Sequence, residues 1–367
     1  MQTIQFRQAY AERFPCTNVA LVATELNRDD RPRTVTMQDI AQAAGVSQST
    51  VSRVLNDTIT SVPIAAHTRE RVLEVAERLG YRPNPLARGL RGAKTMLLGV
   101  IVREISDAFF TTAVEAVSIA AIQRNYNVVL GSAHSRADEA IALRAVLETR
   151  HCDGILLLGD MRDQPRLLDD LAASHVPVVA MWQGTALAGV VTINIDNRGG
   201  MASAVDHLAE LGHRRFGFIG GYPHGDIRER RAGFVDRLTE LGMPPLDAHL
   251  HAASNDAASG SDAFRNLIGL PDPPTAIVTA TDQVAIGALH AAHALGVNVP
   301  GEVSIVGFDD IPLTRYTAPP LTTVHQPIGD MCELAVSLIV DTPAPESAHR
   351  VFPTSLELRS TTGPVPS

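Results

Sequence analysis

The sequence predicts a small all-α headpiece carrying a helix-turn-helix, followed by an α/β body of two parallel, doubly wound sheets. Three observations lead there. The stretch Val35–Asn56, VTMQDIAQAAGVSQSTVSRVLN, reads as two short helices around a Gly-Val turn. From Lys94 onward, short apolar runs alternate with helical stretches. The chain has 367 residues, 45% of them hydrophobic, which is too long for one core, so two or three domains are expected.

In the head, Thr36 is placed to cap a first helix over Met37–Ala44, with Ile40, Ala41 and Ala44 facing inward. Gly45 can take the positive φ of the turn, and Val46 plugs the angle between the helices. Ser47 caps a second helix through Leu55, with Val51, Val54 and Leu55 inward. Gln48, Ser49, Ser52 and Arg53 are left outward, a compact polar face of the kind a helix presents to the DNA major groove. Gln can pair bidentately with adenine and Arg with guanine. Thr68–Leu79 forms a third amphipathic helix, with Val72, Val75, Ala76 and Leu79 apolar.

The linker Gly80–Gly92, GYRPNPLARGLRG, follows. Pro83 and Pro85 leave room only for a short helix over Pro85–Leu90, too short to persist alone in water. It is expected to be disordered off DNA and to form on binding.

In the body, apolar runs recur at Leu97–Val102, Val128–Leu130, Gly154–Leu158, Val176–Ala180, Phe216–Ile219, Ala276–Thr279 and Val303–Gly307. Helical stretches such as Thr111–Arg124, Glu139–Thr149, Gly199–Leu211, Arg230–Leu241 and Gln283–Leu295 lie between them. Strands joined by helices of this length imply right-handed crossovers and parallel sheets. Two sheets make two lobes, with a ligand cleft at the carboxyl ends of the strands.

Charge divides along the same lines. The net charge is −9, yet residues 33–94 carry +4 and the residues beyond carry −13. A basic head on an acidic body concentrates attraction for phosphate at the reading helix. Residues 1–33 have mixed charge and are expected either to be disordered or to precede the true start. Arg7, Glu12 and Arg13 interrupt the N-terminus, and no apolar run of membrane-spanning length exists, so a cytoplasmic, nucleoid-associated protein is expected. Cys16, Cys152 and Cys332 are widely spaced, and the histidines show no metal-ligand spacing. No nucleophile elbow, Walker loop or dinucleotide fingerprint is present, so neither an enzyme nor a cofactor is expected. A solute-binding protein is the rival class, and the attached DNA head argues against it.

The paired motifs VTMQDIAQAAGVSQSTVSRVLN and GYRPNPLARGL are similar to the headpiece and hinge of the LacI/GalR family of bacterial transcription regulators. The resemblance runs from Val35 to about Thr362. The body motifs Cys152–Leu156 (CDGIL), Ile195–Asn197 (IDN), Gly212–Arg215 (GHRR), Val306–Asp310 (VGFDD) and Pro320–Val324 (PLTTV) resemble those of periplasmic sugar-binding proteins.

That resemblance implies a headpiece over 34–82, a hinge over 83–93, a first lobe of 94–194 and 327–348, and a second lobe of 195–326 and 349–362. The chain is then expected to cross between lobes near Ile193–Asp196, near Gln326 and near His349. It further implies base contacts from Gln48, Ser49 and Arg53, and backbone contacts from Ser47, Thr50, Ser52 and Arg88. Ala87 and Leu90 would enter the minor groove, with Leu90 as a wedge between base steps.

In the cleft, Arg230, Asp282, Phe109, Phe110, His224 and Asp226 are the implied effector contacts. Asp282 is also a candidate N-cap for the helix after it. The implied protein is a homodimeric repressor of a pseudo-palindromic operator on double-stranded DNA. A sugar or sugar derivative would release it, with a purine-type corepressor as the alternative.

Overall fold

The computed structural model describes residues 35–55, 64–81, 94–133, 152–161, 163, 165–173, 176–183, 190–221, 225–341 and 348–365. The chain divides into two compact units, Met1–Asn84 and Pro85–Ser367.

In the first unit, α1 (Met37–Ala44), α2 (Gln48–Leu55) and α3 (Ala66–Arg78) pack around fully buried Ile40, Val51 and Val72. The start of α1 is a reciprocal capping box. The Thr36 hydroxyl accepts from the Asp39 N–H at 3.3 Å, and the Asp39 carboxylate accepts from the Thr36 N–H at 2.8 Å. Gly45 closes α1 with φ +64°, a left-handed turn that sends α2 off at an angle. Ile40, Ala41 and Ala44 are buried, as their spacing predicts, and Val46, Leu55 and Leu79 pack half-buried against them.

The second unit follows in chain order. Its first sheet holds β1 (Leu97–Val102), β2 (Asn127–Ser132), β3 (Gly154–Leu158), β4 (Val178–Met181) and β5 (Val191–Ile195). Helices α4 (Ala108–Ile122) and α5 (Pro165–Ala172) connect strands in this lobe. Then come α6 (Asn197–Glu210), β6 (Phe216–Ile219), α7 (Gly225–Glu240), β7 (Leu250–His251), α8 (Ala257–Ile268), β8 (Ala276–Thr279), α9 (Asp282–Leu295), β9 (Ser304–Asp309) and β10 (Thr322–His325). The chain closes with α10 (Ile328–Val340), β11 (His349–Phe352) and β12 (Ser355–Glu357).

Among the described residues these strands form two six-stranded sheets, ordered β11-β5-β4-β3-β1-β2 and β12-β10-β9-β8-β6-β7. All pairings are parallel except β10 with β12. The second sheet shows why it is wound on both faces. Ala276 and Val278 of β8 join a core with Phe234 of α7, while Ile277 between them packs with Phe264 of α8.

The chain passes between lobes three times: after Ile195, at Gln326, and between Phe352 and Ser355. The last passage differs from the expected His349 boundary. Residues 349–352 form β11, whose His349 lies opposite Thr192 and Phe352 opposite Ile195 in the first sheet. The edge of β5 offers four residues of parallel pairing, so the chain stays in the first lobe until that ladder is used up. Among the described residues no helix is long and apolar enough to cross a membrane. The expected helix Glu139–Thr149, the hinge and residues 1–34 lie outside the described residues.

Candidate ligand cleft and nucleic-acid interface

In the head, α2 begins at a cluster of hydroxyls. Ser47 Oγ accepts from the Thr50 N–H at 3.2 Å and lies 2.8 Å from the hydroxyls of both Ser49 and Thr50. Ser47 is thus the helix cap that its position predicts. Gln48 and Ser49 are exposed, while Thr50, Ser52 and Arg53 are half-buried along the same helix. Arg88, Ala87 and Leu90 lie outside the described residues.

The second unit holds a cavity of about 380 Å³ at the carboxyl ends of the strands, between the lobes. Its first-lobe wall is aromatic. Phe109 and Phe110 meet edge-on at 5.2 Å, and Trp182 stands edge-on to Phe109 at 4.9 Å. Gly159 completes this wall with φ +95°, and a Cβ there would come within 2.7 Å of the Phe110 ring. Both conformation and space demand glycine.

The second-lobe wall is polar and buried. The Arg230 guanidinium donates to Asn197 Oδ1 at 2.9 Å, to the Ala280 carbonyl at 2.7 Å and to Asp309 Oδ1 at 2.9 Å. It lies 3.8 Å above the Phe308 ring. Asp226, in the first turn of α7, accepts from Asn197 Nδ2 at 2.9 Å. Burial raises the Asp309 carboxyl to about 7 against the downward pull of Arg230.

Among the described residues, hydrogen bonds run between the lobes and through the crossing. Asn255 Nδ2 donates to Asp107 Oδ2 at 2.8 Å, and the Gly225 N–H donates to Asp160 Oδ2 at 2.7 Å. Buried Gln326, at the second crossing, accepts from the Trp182 indole at 2.9 Å and donates to Asp309 Oδ1 at 2.7 Å. Trp182 and Asp309 both have left-handed backbones, with φ +58° and +121°. Such conformations cost roughly 1–3 kcal/mol each and persist where surrounding structure holds them, often at ligand sites.

Of the expected contacts, Phe109, Phe110, Asp226 and Arg230 line this cavity together. His224 lies outside the described residues. Asp282 does not line the cavity. Its carboxylate turns into the second lobe, accepting from the Ile311 N–H at 2.9 Å and from the Thr323 hydroxyl. There it lies against Gly307, where a Cβ would collide with it. Burial, and then the charge of Asp309, push its carboxyl well above the usual range. Nor is Asp282 the helix cap. That is Thr281, whose hydroxyl accepts from the Val284 N–H.

The carboxylate facing Arg230 is Asp309, inside the VGFDD motif, to which the sequence alone assigns no contact. Asp107, Asp160, Trp182 and Asn255 likewise line the cavity and are missed by sequence reasoning. Asp107 stands two residues before Phe109, a helix-cap signal that could have found it.

A profile described as "Bacterial regulatory proteins, lacI family" matches residues 36–84, and one described as "Periplasmic binding protein-like domain" matches 205–362. The chain is 33% identical to catabolite control protein A of Priestia megaterium over 328 residues, covering 86% of this chain and 97% of that protein. It is 32% identical over 336 residues to the HTH-type transcriptional repressor CytR of Escherichia coli (strain K12), covering 90% and 97%. Among solved structures it is similar to a lac repressor dimer bound to operator and the anti-inducer ONPF, with TM-score 0.79 and 27% identity over 90% of this chain and all of that one. A complex of the transcriptional regulator CelR with cellobiose matches with TM-score 0.64 and 30% identity, again over 90% and 100%. These relatives are regulators rather than enzymes, and the chain belongs to the LacI family as a ligand-responsive DNA-binding transcription regulator.

Proposed function

We propose that this chain is a homodimeric repressor of a pseudo-palindromic operator, acting in the bacterial cytoplasm on the nucleoid and released by a sugar or sugar derivative bound in the cleft. The observation that carries the ligand reading is one cavity that brings the aromatic rings and carboxylates of the first lobe against the carboxylates and buried guanidinium of the second. A sugar ring presents an apolar face for Trp182 and Phe110 and hydroxyl donors for Asp107, Asp160 and Asp226.

The head reads DNA through exposed Gln48 and Ser49 and half-buried Arg53, with Ser47, Thr50, Ser52 and Arg88 on phosphate. Ala87 and Leu90 take the minor groove at the operator centre. Apolar side chains left on the surface support a second copy. Ile119 and Ile122 lie exposed one turn apart on α4, and Tyr316 and Leu313 are exposed beyond β9. The solved lac repressor dimer on its operator supports the same arrangement.

Ligand binding shifts the lobe setting through the Asp107–Asn255 and Asp160–Gly225 bonds, and the first lobes carry that change to the hinges. The test is a gel shift of the full chain on DNA from upstream of its own gene, over a salt series and with a panel of sugars and nucleobases. A specific complex that weakens steeply with salt and is released by a sugar is the expected result. A ligand that tightens the complex would replace the inducer by a corepressor, and no specific complex would defeat the operator reading.

A further inference from the structure

The charge of the cleft says which ligands it admits. Among the described residues its lining includes five carboxylates, Glu104, Asp107, Asp160, Asp226 and Asp309, against two guanidiniums. Among the described residues each guanidinium is already paired with a carboxylate. Arg230 donates from Nε to Asn197 and from Nη1 to the Ala280 carbonyl and Asp309. Arg103 holds both oxygens of Asp163 at 2.9 Å and the Asp160 carbonyl.

The helices of the fold pull the other way. Three of them, α4, α7 and α9, begin at the cavity, and a helix N-terminus carries about half a positive charge. That is the usual way a fold binds phosphate. Here the protein sets a side-chain oxygen of its own on one N–H at each N-terminus. Asp107 Oδ1 accepts from the Phe109 N–H at 2.9 Å, Asp160 Oδ2 from the Gly225 N–H at 2.7 Å, and the Thr281 hydroxyl from the Val284 N–H. At each, one of the N–H groups a phosphate would use already has a side-chain acceptor.

We infer that the cleft takes an uncharged or amine-bearing polyhydroxy compound and turns away its phosphorylated and carboxylate counterparts. This rests on the ligand reading proposed above and adds the charge class. A neutral polyol donates hydroxyl protons to the carboxylates, and an ammonium would gain their field and the aromatic faces of Phe110 and Trp182 as well. An added phosphate would meet like charges, with both lining guanidiniums already committed to other partners.

The sole tryptophan of the chain, Trp182, lies in the cavity wall, so intrinsic fluorescence of the full protein reads this site. The probes are matched sets: glucose, glucosamine, glucose 6-phosphate and glucuronate; ribose and ribose 5-phosphate; cytidine and cytidine monophosphate. In any set with a binder, the neutral or amine member is expected to bind roughly tenfold or more tighter than the anionic one. An anionic member that binds as tightly or more tightly overturns the inference.

If no set contains a binder, the sugar reading fails, and the charge inference is still decided by quenching of Trp182. Relative to free tryptophan amide, iodide should quench less than caesium, and iodide quenching should rise in Glu104→Gln and Asp226→Asn variants. Neutral acrylamide sets the access of the ring, and iodide quenching that equals or exceeds caesium quenching on that scale overturns the inference.

Discussion

In the head, Gln48 and Ser49 stand exposed on an eight-residue helix, and the hydroxyls around them find partners within three residues. In the cleft, Arg230 and Asp309 are almost wholly buried and meet across 79 residues of chain. One surface keeps its polar atoms in water for a partner to claim. The other takes them out of water and satisfies them internally, so that a ligand must trade hydrogen bonds already made. The difference sets how each region should fail. A lost side chain in the head removes a contact to DNA and leaves the fold intact, whereas a lost partner in the cleft strands a buried charge.

The largest expected effect therefore comes from Arg230→Met. It removes the cation beside Asp309 but keeps much of the volume over Phe308. Truncating one partner of a buried pair costs about 3–5 kcal/mol. Urea unfolding at pH 8 should show a loss of that order. At pH 6 the loss should be smaller, because Asp309, already raised to about 7, can escape by taking a proton. A loss below about 1 kcal/mol at pH 8 would mean that the pair is solvated in solution.

A pH profile sharpens the same point. Asp309 binds its proton more tightly folded than unfolded, so the folded state holds more protons between about pH 4 and pH 7. Its contribution to stability accordingly falls as pH rises through that window and is flat above it. Half-buried His207 and buried His213 have lowered values and work in the opposite direction. The informative quantity is the wild-type profile minus that of Asp309→Asn, which should slope downward from pH 4 to pH 7. A level difference would mean that the Asp309 carboxyl titrates alike in the folded and unfolded chain.

The same contrast explains what is legible in the sequence alone. The head is legible nearly residue by residue, because Ile40, Ala41, Ala44, Val51 and Val54 follow helical spacing and their partners lie close in sequence. Strands β1, β3, β6 and β8 are also legible with the ends observed, since each is a compact apolar run. β7 and β12, two and three residues long, carry no pattern by themselves and form only because a neighbouring edge is available.

The cleft is half legible. Arg230 and Asp226 sit in one motif, but Asp107 with Asn255 and Trp182 with Gln326 are pairs 148 and 144 residues apart. No local spacing encodes such pairs. Asp282 is misplaced by sequence for a related reason: one residue separates a side chain facing the cavity, Thr281, from one facing Thr323.

For the head, half-buried Arg53→Ala should lose far less stability than Arg230→Met. It should cost roughly 1–3 kcal/mol of discrimination at one operator base pair. A binding-site selection that returned the wild-type base preference would remove Arg53 from base readout. Opposite results for Arg53 and Arg230, one in specificity and one in stability, would establish the contrast between the two surfaces.

The smallest effect is expected at Ser47, which belongs to both descriptions: it is a structural cap, and it stands at the reading end of α2. Ser47→Ala removes the acceptor for the Thr50 N–H and should cost about 1 kcal/mol of head stability. Ser47→Asp keeps that acceptor, because a carboxylate caps a helix as well as a hydroxyl does, but it places a negative charge where DNA phosphate would lie. If Ser47 only caps, the Asp variant should bind operator like wild type. If it also meets phosphate, the Asp variant should bind markedly more weakly at every operator sequence while its melting temperature stays at the wild-type value. Measuring both variants by thermal melting and by gel shift separates the cap from the contact.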